Sequence, residues 1–155
     1  MNAFPARFAG ALAASALAFA ALAQAPESTK SVATRHPFDA LLERLERAVE
    51  KNGLGVVAMA SASRGAAARG VKIPGNAVVM VFRNDLAVRL LAASVPAGVE
   101  APLRLYVTEN RDGTAALSFR APSALFAPYR NPEVDRLARE LDAILERIAQ
   151  DATGG

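Results

Sequence analysis

Val78–Ala93, VVMVFRNDLAVRLLAA, changes its period midway. Val78–Phe82 is an unbroken apolar run, Arg83, Asn84 and Asp85 interrupt it, and apolar residues then return at helical spacing. A short continuous run fits a strand and a spaced one fits a helix, so the stretch reads as a strand turning a polar corner into a helix. Extended back to Asn76, the strand NAVVMVF shows no alternation of polar and apolar residues. That pattern predicts a strand covered on both faces, near the centre of a sheet.

Downstream, Leu86–Ala93 is a short helix ended by Val95-Pro96. Leu103–Glu109 and Thr114–Arg120 flank Asn110-Arg111-Asp112-Gly113, whose residues suit a hairpin turn, so these two strands are expected to be antiparallel neighbours. Asn131-Pro132 opens a long helix with apolar residues at 134, 137, 138, 141, 144, 145 and 148. On its wet side Asp135 with Arg139 and Arg136 with Glu140 stand four apart, and each pair is worth about 0.2 to 0.5 kcal/mol.

Upstream, LGVVAMA at Leu54–Ala60 reads as a strand, and SASRGAAARG at Ser61–Gly70 fits either a loop or a short helix. Apolar residues at 38, 41, 42, 45, 48 and 49 form one stripe of a helix that Asn52-Gly53 ends, the glycine supplying a left-handed cap. Ser31–Arg35 forms a short strand stopped by His36-Pro37. The order β-α-β-β-α-β-β-α predicts a two-layer α+β fold: a mixed or antiparallel sheet of about five strands with helices packed mainly on one face.

The N-terminus reads as a targeting segment. Arg7 precedes an Ala/Leu/Phe run at Phe8–Ala23, interrupted only by Gly10 and Ser15. Sixteen mostly small residues fall short of the ~20 strongly apolar ones of a membrane span. Cleavage after Ala23 or Ala25 satisfies the A-x-A rule, and Pro26 disfavours the second site. The expected organisation is a signal peptide at 1–23, a flexible leader at 24–30, one domain at 31–150 and a disordered tail at 151–155. The exported chain is then periplasmic and has no stable membrane span.

Removing that segment takes one arginine and leaves 17 basic residues against 15 acidic ones. Three of the 18 cations are lysine and the rest arginine, interleaved with acids rather than gathered in a block, so no nucleic-acid footprint is visible. The chain has no cysteine, which excludes disulfides, thiolate nucleophiles and cysteine metal sites. It has one histidine, His36, read as a plain helix-start residue, and no acidic loop of calcium-binding spacing. No glycine pattern cradles a phosphate, so neither a metal nor a cofactor is expected.

Asn84 and Asp85 are explained as helix caps, yet a strand end feeding a helix N-terminus also receives anions, and Arg83 adds charge there. Glu109 and Asp112 bracket a turn, and Asp112 before Gly113 is the residue such a turn prefers. Tyr106, Phe119 and Phe82 fall on strands and read as core; a base-stacking platform requires adjacent cations. Phe126 and Tyr129, in the loop before the last helix, are expected to close the core.

Taken together, EKNGLGVVA, VVMVFRND, LLAASVPAGVEAPLRLYVTEN, DGTAALSFRAPSALFAPY and the closing helix resemble the family catalogued as domain of unknown function 302, over about Ser31 to Ala149. The resemblance implies a small α+β domain and no agreed reaction. Many relatives carry Asp-His where this chain has Ser61-Ala62, and Phe-Gly-Asn-Pro where it has Phe82-Arg83-Asn84-Asp85. Only Phe82 and Asn84 carry over.

Two functions follow. The first is an exported, non-catalytic module that holds a small ligand or another periplasmic protein, with a homodimer through a sheet edge or helix face as one form. The second is a small periplasmic enzyme using arginine and carboxylate chemistry around Arg83, Asn84, Arg104 and Glu109. It requires those four residues to converge in one pocket with Glu109 buried. As a ligand site, the same four residues serve the first reading.

Overall fold

The computed structural model describes residues 28–154; the expected signal peptide and most of the leader lie outside them. Five strands form one antiparallel sheet: β1 (Thr29–Pro37), β2 (Gly55–Ala60), β3 (Asn76–Phe82), β4 (Leu103–Glu109) and β5 (Thr114–Arg120). Their spatial order is β1-β5-β4-β3-β2. The chain starts at one edge and crosses through α1 (Phe38–Lys51) to the other. It then returns by way of α2 (Ala62–Ala67), β3 and α3 (Asn84–Ala93) to the β4–β5 hairpin, and ends in α4 (Pro122–Phe126) and α5 (Pro132–Thr153).

Alternation along the strands builds the core. Ala77, Val79 and Val81 of β3, Leu103, Leu105 and Val107 of β4, and Ala115, Leu117 and Phe119 of β5 are buried on one sheet face. They belong to one apolar cluster with Leu41, Leu45 and Val49 of α1 and Leu141, Leu145 and Ile148 of α5. This is the expected two-layer α+β fold, with the sheet purely antiparallel. No helix among the described residues is long and apolar enough to cross a membrane.

Several expectations are corrected. β3 is flanked by β4 and β2 but is not central, and its outward residues Asn76, Val78, Met80 and Phe82 are only half-buried. Its alternation was invisible because Val78, Met80 and Phe82 are as apolar as their buried neighbours. Of the two readings of Ser61–Gly70 the short helix is the one found, opened by the Ser61 hydroxyl accepting from the Arg64 N–H. On α5, Glu140 turns away from Arg136 and pairs with Arg89 of the adjacent α3 at 2.9 Å, while Arg136 pairs with Glu133.

Regular structure extends beyond the expected domain bounds on both sides. Ser28 accepts from the Ala121 N–H, and Thr29 and Lys30 pair with Arg120 and Phe119, so β1 begins inside the supposed leader. Asp151–Thr153, expected as tail, form the last turn of α5. Ala152 is fully buried, and the Asp151 carboxylate accepts from Lys51 Nζ and Asn52 Nδ2, each at 2.8 Å. The α1 terminus thus holds the α5 terminus, and local periodicity carries no trace of that contact.

Candidate functional site

The corner after β3 is folded as the sequence implies, but its polar residues act differently. The helix begins at Asn84, so Asn84 and Asp85 occupy the first turn, and Arg83 before them offers no side-chain cap. Asp85 instead accepts from Arg83 Nε at 2.8 Å, and Arg83 also lies 4.0 Å from Glu140. Partial burial raises the Asp85 pKa, but the hydrogen bond and charge of Arg83 and the first-turn N–H groups outweigh it and hold it below 3.8. The Arg89 guanidinium is held above its ordinary value by the hydrogen bond and charge of Glu140. Two arginines therefore face two carboxylates, and the corner is neutralised within itself.

Behind Arg83 lies an apolar crevice lined by Leu54, Leu86, Leu90, Leu103, Phe126 and Leu141 among others. It encloses about 30 Å³, room for about two water molecules. Small-molecule pockets run to several hundred Å³.

The other candidates lie elsewhere. Arg104 is exposed on β4, on the sheet face opposite the helices, whereas Glu109 ends the same strand about 17 Å further on at ~3.4 Å per residue. Glu109 is exposed and holds the entry to β3: its carboxylate accepts from the Gly75 N–H at 2.6 Å, and its own N–H donates to the Gly75 carbonyl at 2.8 Å. Arg83, Asn84, Arg104 and Glu109 do not converge. His36 is the penultimate residue of β1, not a helix-start residue, its N–H donating to Thr34 Oγ1 at 3.0 Å, and among the described residues no group of His, Asp or Glu is placed to hold a metal.

What the structure does bring together is the outer face of the sheet. Ala58, Met80 and Arg104 stand in one cross-strand row and Arg120 pairs with Thr29, Arg104 and Arg120 each following one step past the last β4–β5 pair, Leu105 and Phe119. The next runs Ala60, Val78, Tyr106, Ser118, Ser31, with Ser118 Oγ donating to Ser31 Oγ at 2.9 Å. Tyr106, expected in the core, is 42% exposed in the middle of the central strand, while Phe119 is buried. Neither row contains a carboxylate, and among the described residues neither Arg104 nor Arg120 joins an ion pair. A solvated antiparallel face ordinarily carries mixed polar residues; here the β3–β4 part of the face is apolar and aromatic beside two arginines, and hydroxyl side chains lie on the β5–β1 side.

Sequence reasoning missed Arg120 and misplaced Tyr106. The turn closes between Asn110 and Thr114, which pairs Glu109 with Ala115 and Tyr106 with Ser118, whereas a turn over all of 110–113 pairs Glu109 with Thr114 and shifts every later partner by one.

At the turn, Asp112 behaves as expected. Its pKa is held down by the hydrogen bond from the Thr114 hydroxyl, then by that from the Thr114 N–H, and the Asp151 pKa is held down by Lys51, then Asn52. Carboxyls with depressed folded-state pKa values contribute stability that is complete above their unfolded value of 3.8 and lost as the pH falls through the lower folded values. Urea-unfolding midpoints measured from about pH 5 down to about pH 2.5 are therefore expected to fall steadily below about pH 4. Midpoints that hold or rise over that range count against these three contacts.

The fold and its bare sheet face define a class, an open-faced two-layer α+β domain. The family model described as "Domain of unknown function DUF302" matches residues 30–152, and the chain belongs to that family. A crystal structure of an uncharacterized conserved DUF302 protein from Bacillus stearothermophilus superposes with a TM-score of 0.74 at 20% identity, covering 82% of this chain and 99% of the other. That likeness is one of fold. No curated protein matches the chain significantly.

Proposed function

We propose that this protein is an exported, non-catalytic binding module of the periplasm that takes its ligand or partner on the open sheet face. The observation that carries this reading is the make-up of that face: Val78, Met80 and Tyr106 lie near Arg104 and Arg120, and among the described residues no carboxylate pairs with either arginine. Apolar surface rimmed by charge marks a place where something docks. Export rests on the alanine-rich run behind Arg7. The enzyme alternative required four residues in one pocket, and they stand apart.

The test is native mass spectrometry of protein taken from the periplasmic fraction of its own host. The expected species starts at Gln24 and carries a bound ligand, a partner or a second copy, which Val78→Glu releases. A cytosolic species that keeps Met1 overturns export, and a species whose bound mass survives Val78→Glu overturns the sheet face as the binding surface.

A further inference from the structure

We infer that Arg104 and Arg120 form an oxyanion site, and that the ligand of the sheet face is a small organic phosphate or carboxylate whose body lies over Tyr106, Val78 and Met80. This inference rests on the sheet-face reading above and adds the chemistry of the ligand.

Continued one step past its last pair, Leu105 and Phe119, the register sets the two arginines opposite each other on adjacent antiparallel strands. Side chains so placed have Cβ atoms about 4.5 to 5.5 Å apart, and like charges there are destabilising. The neighbouring cations Arg83 and Arg89, by contrast, share Asp85 and Glu140. The neighbours of the Arg104–Arg120 pair in its row are Met80 and Thr29, neither of which carries charge. Two adjacent guanidinium forks suit one multi-oxygen anion, because each presents parallel N–H donors matching the edge of a phosphate or carboxylate.

The next row explains why the anion is organic. Tyr106 follows Arg104 on the same face, between Val78 and Ser118, and offers an exposed ring beside the charge. Val78 and Met80 extend this surface on the β3 side, while the Ser118 and Ser31 hydroxyls lie on the other. An anion with a flat or aliphatic body gains contacts here that a bare ion lacks.

Isothermal titration of the chain with inorganic phosphate and with phenyl phosphate tests the assignment. Phenyl phosphate is expected to bind at least about tenfold more tightly than inorganic phosphate, and Tyr106→Ala is expected to remove that preference while leaving inorganic phosphate bound. Arg104→Gln and Arg120→Gln are each expected to weaken both ligands about tenfold or more, as loss of a charge-assisted hydrogen bond does. Without ligand the two variants are expected to melt at or above the parent temperature, since each removes a like-charge contact; a merely structural arginine lowers it.

Equal phosphate affinity in parent and arginine variants overturns the site, as does the absence of binding by either probe. Adsorption to phosphatidylglycerol vesicles without phenyl phosphate binding also overturns it, by showing diffuse attraction to a charged surface. If a neutral ligand co-purifies on the face while phosphate fails, the oxyanion assignment falls and the binding module stands. If nothing occupies the face, both fall.

Discussion

Phe126→Ala is expected to destabilise the protein by about 3 to 5 kcal/mol, the range for deleting a large aromatic ring from a core. Phe126 is 1% exposed and heads the largest fully buried side chains. It projects from the end of α4 into the crevice between α3, the β4 start and α5, against Leu86, Leu103 and Leu141. Its ring also meets Tyr129 with centroids 6.3 Å apart, and the Tyr129 hydroxyl donates to Glu100 Oε1 at 3.1 Å. One side chain therefore joins the loop before α5 to the segment before β4. Small domains are stable by about 5 to 15 kcal/mol, so the variant is expected near the limit of folding, with Tm lower by about 10 °C or more.

The mechanism of that loss is itself measurable. If the surroundings stay in place, the crevice grows into an apolar cavity of the kind that stays dry and accepts benzene. Benzene is then expected to raise the Tm of Phe126→Ala and leave the parent unchanged. A loss below about 1 kcal/mol means α4 does not close the core; a large loss without rescue means the walls collapse inward.

The elements legible in the sequence are those whose cause is local. The α1 and α5 stripes, the Asn52-Gly53 ending and the NRDG turn each follow from the spacing or backbone freedom of a few neighbouring residues, and Gly53 and Gly113 adopt the positive φ such places require. β3 was placed correctly along the chain but misread across the sheet. A buried face and an unusually apolar open face give the same composition, and only the partner strands tell them apart. The candidate site failed for a related reason. Arg83 stands out in the sequence for its place in a corner, but α5 brings Glu140 to it from 57 residues away. Arg104 stands alone in the sequence, because the register of the hairpin depends on Asn110 pairing with Thr114, one residue inside the turn that the sequence suggests. In this protein the local polar break serves the corner, and the unexplained charge lies where two strands of a hairpin meet.

Deleting Asp151–Gly155 is expected to cost about 2 kcal/mol or more, although local sequence marks those residues as a dispensable tail. The estimate combines about 0.8 kcal/mol for the buried Ala152 methyl with about 0.5 to 1.5 kcal/mol for each net hydrogen bond lost between the helix ends. Arg44 of α1 supplies those bonds: Nε donates to the Ala152 carbonyl at 2.7 Å, Nη2 to the Asp151 carbonyl at 3.3 Å, and Nη2 also to Gly154. A cation at a helix C-terminus also meets the negative end of the dipole, so one side chain both satisfies orphan carbonyls and neutralises partial charge. Asp151→Asn separates the contributions, since it keeps Ala152 and the Arg44 bonds and removes the charge facing Lys51 together with one of the two acceptor oxygens that Lys51 and Asn52 use. It is expected to lose less than the deletion and to flatten the fall in stability below about pH 4. Urea unfolding of parent, Asp151→Asn and the truncated chain distinguishes the cases. A deletion no more costly than Asp151→Asn assigns the clamp to the ion pair, whereas the larger loss expected here assigns it to Arg44 and the buried last turn.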